Sequence, residues 1–369
     1  MTSHKNSRHD LAPEGPAKAS RALVIGPAFF GYNQSIARAL VPHGFDVEVI
    51  DAPNNSPAGL VNRLRIDLAV ALGIQRFKVA WKERFNRHIL DTAARVAPDL
   101  LLVIRGEWMT PDTFSAIPAG RKIIWFQDTA RRSGADHVEL ARRADAVFVF
   151  ETSDIDYLAE RGVPRDRIAF LPMGHDPVVY SDLELPETVD VCFVGRMYEE
   201  RKALIHRLVD ELPELRFEVW GRYLRYREPR TWMLWLRRQM DRRSRQTYRN
   251  RNIAPQDTSR VYNRSRISLN IHHNQSQGGC NPRVFEICST GAFQLCDRNR
   301  YVETEVSPEL VQFEGYDDLK AKILAFVADD AARRAIAATC KAAVQRHTFE
   351  ARMATALSVL RSLPGRADG

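Results

Sequence analysis

The sequence predicts an α/β protein made of two consecutive parallel-sheet halves. Three observations carry this reading. Residues 22–51 run strand, glycine loop, helix and second strand in succession. A comparable series restarts after the proline- and acid-rich link 181–190. The apolar runs in both series are continuous rather than alternating, as strands covered by helices on both faces require. A chain of 369 residues also has the length of two ordinary domains.

The first half opens with the strand ALVIG (22–26) and the loop PAFFGYN. In SIARALVPHG, Ile36, Ala37, Leu40 and Val41 recur at helical spacing, and Gly44 ends that helix. DVEVID (46–51) is the second strand, and residues 60–97 supply helical stretches. PDLLLVIRG (98–106), RKIIWFQD (121–128), DAVFVFE (145–151) and IAFLP (168–172) complete the first sheet. The second half reads VCFVG (191–195), a helix over 200–211, LRFEVWG (215–221), ISLNIH (267–272), a helix over 282–290 and AFQLCD (292–297). Two amphipathic helices follow at about 317–345 and 346–362. The expected units are a mobile tail (1–20), a first domain (21–180), a linker (181–190) and a second domain (191–345) with an insertion at 222–251. Residues 346–369 form a last helical segment able to pack back on the first domain. Ligands of such sheets bind at the carboxyl ends of strands, so two facing sheets put one site in the cleft between them.

Composition narrows the class. A chain 44% hydrophobic and 27% charged is neither disordered nor collagenous. No apolar run approaches the ~18 residues of a membrane span, and the start of the chain lacks the apolar core of a secretory signal. Five cysteines without a C-x-x-C pair suit reduced thiols in a cytoplasm. The net charge of +8 is concentrated: residues 222–251 hold eleven arginines against Glu228 and Asp241, which leaves the rest near neutral. That distribution is not a nucleic-acid binder's, and no recognisable RNA-binding module is present. From Thr231, Trp232, Trp235, Leu236 and Met240 share one helical face, with Arg237, Arg238, Arg242 and Arg245 mainly elsewhere. Such a helix over 231–245 suits an anionic membrane surface, which would make the protein peripheral to the inner face of a membrane, or an acidic acceptor. The other reading is an inserted helix packing its tryptophans on the second domain.

The stretch SLNIHHNQSQGGCNPRVFEICSTGAFQLCD (268–297) carries the chemistry. Gly278 and Gly279 precede Asn281, a good N-cap, and Pro282, which is favoured in the first helical turn. Free amides at such a helix start suit a diphosphate, and Arg283 adds a guanidinium fork for its oxygens. Glu286, one turn deeper, is placed to accept hydrogen bonds from ribose hydroxyls. The plainer alternative is a capped helix in which Arg283 pairs with Glu286. At the corresponding end of the half's first strand, FVGRMYEERK (193–202) presents Gly195, Arg196, Arg201 and Lys202; for Arg196 the plainer reading is a surface pair with Glu199 or Glu200. His272 and His273, adjacent at a strand end, point to opposite faces, so they do not chelate; one lines the cleft.

These segments, with SRVYNRSRISLNIHHN, resemble the carboxy-terminal half of GT-B glycosyltransferases, and most of all the spore-maturation (CgeB-like) group related to glycosyltransferase family 4. WFQDTA, ADAVFVFE and FLPMGHDP also fit, so the similarity spans about residues 120–355. It implies a GT-B fold of two Rossmann-like domains and transfer of a sugar from a nucleoside-diphosphate sugar to a hydroxyl of a glycan, lipid-linked or small acceptor. Neither cofactor nor metal is implied. By the resemblance, Glu286 holds the donor ribose, and Arg196 with Arg201 or Lys202 forms the basic pair on the diphosphate. Family 4 enzymes carry a further Glu eight positions before the ribose Glu, contacting the transferred sugar; here that position is Gly278. The departure favours the alternative, a non-catalytic nucleotide-sugar-binding or membrane-surface scaffold protein.

In the first half, Asp128 at the end of the fourth strand and His175 after FLPMG are candidate bases for an acceptor hydroxyl. The plainer readings are a turn-capping aspartate and an ordinary loop histidine. Asp154-Ile155-Asp156 has a D-x-D form but reads as the acidic first turn of a helix capped by Thr152 or Ser153. Cys280, Cys288 and Cys296 match no zinc spacing, and no metal site is assigned. The Gly26–Gly31 loop with Asp51 lacks the glycine fingerprint of a dinucleotide site.

Overall fold

A computed structural model describes residues 19–28, 30–52, 76–106, 108–132, 135–221, 241–272 and 278–364. The first half contributes strands β1 (Ser20–Pro27), β2 (Phe45–Ala52), β3 (Leu100–Ile104), β4 (Arg121–Phe126), β5 (Ala146–Val149) and β6 (Ile168–Phe170). They form one parallel sheet in the order β2-β1-β3-β4-β5-β6, with Ser20 opposite Phe45 and Ala22 opposite Leu100. The second half contributes β7 (Val189–Val194), β8 (Phe217–Trp220), β9 (Tyr248–Arg249), β10 (Ser265–Asn270), β11 (Gln294–Asp297) and β12 (Gln312–Phe313). These are again parallel, in the order β12-β11-β10-β7-β8-β9. This is the strand order of a dinucleotide-binding sheet, with its reversal between β7 and β10.

The continuous apolar runs are explained by burial on both faces. Ala22, Val24, Leu102, Trp125 and Phe148 pack toward the Tyr32–Leu40 and Phe349–Ser362 helices. The intervening Leu23, Ile25, Leu101, Val103 and Val147 pack with Phe85, Ile89, Phe114 and Leu140 from the helices opposite. The first of these clusters also includes Cys280, Val284, Phe285 and Cys288, so one apolar core runs from the first half into the second.

The structure corrects several expected boundaries. The strand expected over 98–106 stops at Ile104, because Arg105 and Gly106 turn into left-handed conformations at φ 63° and 79°. The helix expected over 317–345 is two helices, Gly315–Ala328 and Asp330–Val344. Asp329 divides them by accepting the Ala332 N–H at 2.9 Å, the usual competition of an aspartate side chain with helix continuation. Of the basic insertion, residues 222–240, with Trp232, Trp235, Leu236, Arg237, Arg238 and Met240, lie outside the described residues, as do residues 1–18, 53–75 and His273. The remainder forms the Arg242–Thr247 helix, capped by Asp241, and edge strand β9.

The Phe349–Ser362 helix is fixed to the first half at both ends. His175 forms an isolated bridge with Thr348, and Arg121 donates to the Leu360, Leu363 and Pro364 carbonyls. His175, expected at the cleft, is instead wholly buried in this joint, its Nδ1 3.2 Å from the His347 carbonyl. Burial pulls its pKa down to about 4, and nothing exposes it to an acceptor, so it holds the joint between strand end and helix. Among the described residues no helix is long and apolar enough to cross a membrane, and all five cysteines are buried and unpaired.

Candidate donor-binding site

The carboxyl edges of the two sheets face each other. The loop after β1 presses Gly31 against Pro255; Glu151, the second residue beyond β5, touches Gly278; and Tyr32 reaches Glu286. At the β7/β10 reversal the chain leaves the sheet in opposite directions, opening a crevice beyond Val194 and Asn270. Gly195–Arg196 and Ile271–His272 are the residues that follow the two strands there.

Three guanidinium groups gather there. Arg283, the first residue of the Arg283–Ser289 helix, reaches back to the end of β7, and a Cβ on Gly195 would lie 2.9 Å from its Nη2. Gly195 is thus required for the close approach. Arg201, 6% exposed, donates from Nη1 to the Arg196 carbonyl at 3.0 Å. Its pKa is depressed to about 10, first by burial and then by the charge of Arg283. Arg196 is exposed and lies over the Tyr198 ring at 5.3 Å, with Arg201 over the same ring at 5.2 Å. Among the described residues none of the three forms an ion pair with a carboxylate. Lys202 does: it is bound to Glu199 at 2.8 Å, which leaves Arg201 as the inward-facing member of the pair.

Glu286 lies one turn along the helix, 3% exposed. It is not paired with Arg283; its Oε1 accepts the Tyr32 hydroxyl at 3.0 Å, and Tyr180 also hydrogen-bonds it. Burial raises its pKa to about 7 against the opposing pull of Arg283 and the two tyrosines. His272, buried at the end of β10, is held through Nδ1 by Asp297 Oδ1 at 2.7 Å. Its Nε2, Asn270 Nδ2 and Asn281 Oδ1 are buried and, among the described residues, without hydrogen-bond partners. Unsatisfied polar atoms at a strand-end crevice are the places a polar ligand repays. His272, Cys296 and Asp297 put three ligand-type atoms within 4.8 Å of one another, but the imidazole and carboxylate already share a hydrogen bond.

Two expectations for the glycine turn are corrected. Asn281 does not cap the helix; its Nδ2 donates to Asn270 Oδ1 at 2.9 Å, tying the turn to β10. The Val284, Phe285 and Glu286 amides are bonded to Asn281 and Pro282 carbonyls, so these three are not free for a phosphate. Gly278 donates to Glu151 Oε1 at 2.8 Å, while a Cβ on Gly279 would stand 2.1 Å from the Phe150 carbonyl oxygen. Gly279 therefore lets the backbones of the two halves touch, and Gly278 makes room for the Thr152 and Glu151 side chains. Gly279→Ala should lower stability by about 2 kcal/mol through this overlap, measurable by urea unfolding.

In the first half, Asp128 caps its own turn by accepting the Thr129 N–H at 3.0 Å, and lies 3.7 Å from Arg105 at the end of the neighbouring strand. Asp154 is buried and bound by Thr129 Oγ1 and the Ala130 N–H, and Thr152 makes no side-chain cap. Asp51 is occupied by Asn33 Nδ2 at 2.7 Å. Sequence reasoning missed Tyr32, Tyr180, Tyr262 and Glu151. The signal for Glu151 was a lone carboxylate ending an otherwise apolar strand run.

Residues 200–358 match a family model described as glycosyl transferase-like. No curated protein sequence matches the chain. Among solved structures, sucrose-phosphate synthase from Thermosynechococcus elongatus is similar at 13% identity, covering 94% of this chain and 100% of that one with a TM-score of 0.61. Anabaena HepE in complex with UDP and glucose is similar at 14% identity, covering 91% and 99% with a TM-score of 0.58. UDP-GlcNAc 2-epimerase from Neisseria meningitidis bound to UDP-GlcNAc is similar at 14% identity, covering 93% and 99% with a TM-score of 0.53. With the two facing parallel sheets, these likenesses define the GT-B fold.

Proposed function

We propose that this protein is a metal-independent, CgeB-like glycosyltransferase, moving a sugar from a nucleoside-diphosphate sugar to an acceptor hydroxyl. The observation that carries the reading is the packing of Arg201 beside Arg283, neither ion-paired to a carboxylate among the described residues, one helical turn from buried Glu286. Like charges held together in this way suit the two phosphates of a donor, and the adjacent carboxylate suits the ribose diol. As the glycosidic bond to phosphate breaks, negative charge grows on the departing diphosphate, and the preset guanidinium groups stabilise it without reorganising. UDP is bound by Anabaena HepE and UDP-GlcNAc by the Neisseria epimerase, which supports a nucleotide sugar as the ligand here. The match of residues 200–358 to a glycosyl transferase-like model favours transfer over epimerisation.

On the acceptor side, Asp128 beside Arg105 is the carboxylate at a strand end able to take a proton from a hydroxyl. Exposed Arg242, Arg245, Arg249 and Arg251 line the β9 edge of the second sheet and suit an anionic acceptor or the anionic inner face of a membrane. The test is turnover of UDP-, GDP- and TDP-sugars with release of the nucleoside diphosphate as readout. Release dependent on an added acceptor supports the reading. Tight binding with no turnover for any donor would make the protein a non-catalytic nucleotide-sugar binder.

A further inference from the structure

Tyr32 belongs to the first half and Glu286 to the second, and their hydrogen bond joins residues 254 positions apart in the chain. We propose that Tyr32 is the donor-sensing residue of this protein: in the ligand-free state its hydroxyl holds the carboxylate oxygen that a ribose hydroxyl takes when a nucleoside diphosphate binds. The inference rests on the assignment of Glu286 to the ribose made above.

A carboxylate buried to this depth must be supplied with donors. A phenol O–H and a ribose O–H are donors of the same kind, so at Glu286 Oε1 they compete. The groups facing Glu286 are Tyr32 from the Tyr32–Leu40 helix, Tyr180 from the segment before the linker, Tyr262 from the Pro255–Asn263 helix and Arg283 from its own helix. Tyr180 and Tyr262 are fixed: their rings pack 6.4 Å apart in an apolar cluster with Val189 and Ile287. Tyr32 is held differently. It is only partly buried, touches Phe30 and Phe349 at ring distances of 5.7 and 5.8 Å, and follows two consecutive left-handed residues. These are Phe30 at φ 60° and Gly31 at φ 67°; for Phe30 that conformation is strained, and its side chain is 47% exposed. Of the three tyrosines, Tyr32 is the one whose release costs least packing.

The consequence is a coupling between the two substrates. When the ribose takes Glu286, the loop after β1 loses its hydrogen-bonded anchor on the second half and is free to rearrange beside β3, the strand that Arg105 follows. Donor occupancy is thereby reported to the side of the cleft that receives the acceptor.

The experiment compares the full-length protein with Tyr32→Phe, which keeps the ring and removes the hydroxyl. Calorimetry with UDP, GDP and TDP should show the best ligand binding about fivefold tighter to the variant at pH 8, because the Tyr32 hydroxyl no longer competes for the carboxylate. The midpoint of the affinity–pH curve should also move upward, since the carboxylate has lost a donor to its charged form; a packing role alone would not move it. Equal or weaker binding by the variant would overturn the proposal. A ligand-free arm separates its failure from that of the ribose assignment: stability is measured from pH 5 to 8 for both chains. If no nucleoside diphosphate binds either chain, the ribose assignment falls and sensing falls with it, even where the pH profile shifts and proves the clasp. An unshifted profile overturns the clasp itself.

Discussion

Replacing Arg283 with alanine should raise the Kd for UDP about a hundredfold, while the melting temperature stays level or rises slightly. The two halves of this outcome come from one fact. The Arg283 guanidinium lies over Gly195 with no carboxylate paired to it among the described residues, and its charge bears on buried Arg201. In the ligand-free protein the two cations repel, so deletion of one relieves the other. With a diphosphate present the same pair supplies charge-assisted hydrogen bonds, each worth about 1.5–3 kcal/mol, or roughly one to two decades of affinity. A structural arginine behaves the opposite way, losing stability and leaving affinity intact. Calorimetry with UDP beside a thermal melt separates the two, and unchanged affinity in the variant would remove Arg283 from the donor site. A secondary loss follows as well, because Arg283 helps to keep Glu286 ionised.

What was legible in the sequence, and what was not, follows from the range of the forces involved. Leu100–Ile104 and Ala146–Val149 were readable because a strand buried on both faces must be apolar at every position. The Arg283–Ser289 helix was placed within a residue by Pro282 and Gly291, both local signals. Asp329 was a local signal too, but it lies within a run of helix-compatible residues that conceals the break. The partners of the site were not legible. Tyr32 meets Glu286, and Glu151 meets Gly278, only because the carboxyl edges of two sheets are brought together, which no spacing along the chain records. The same juxtaposition changed the meaning of Gly278 and Gly279, whose missing side chains make room for Thr152, Glu151 and the Phe150 backbone of the other half. His175 misled for a related reason: the helix that buries it comes from the far end of the chain.

Glu286→Gln should make the protein more stable at pH 8 and abolish its binding of nucleoside diphosphates. Glu286 is 3% exposed, and burial raises its pKa to about 7 from an ordinary value of 4.5. The folded state therefore binds the proton more tightly than the unfolded chain, so stability falls as pH rises between those two values. It is fully present below about pH 4.5 and has been lost once the folded group ionises above about pH 7. A shift of that size corresponds to about 3 kcal/mol, which the neutral glutamine recovers at pH 8 and does not recover at pH 4. Urea unfolding of both proteins at the two pH values checks the sign. An ionised carboxylate kept here against that cost needs a compensating role, and accepting ribose hydroxyls is one that glutamine fills poorly, since half of its amide is a donor. Donor binding should then release protons near pH 7 in the native protein, as the ribose draws Glu286 to its charged form, and release none in the variant. Calorimetry in buffers of different ionisation enthalpy measures that difference directly. Equal proton release from both proteins would show that the titrating group lies elsewhere, and that the stability lost to burying Glu286 serves something other than the sugar ring of the nucleotide.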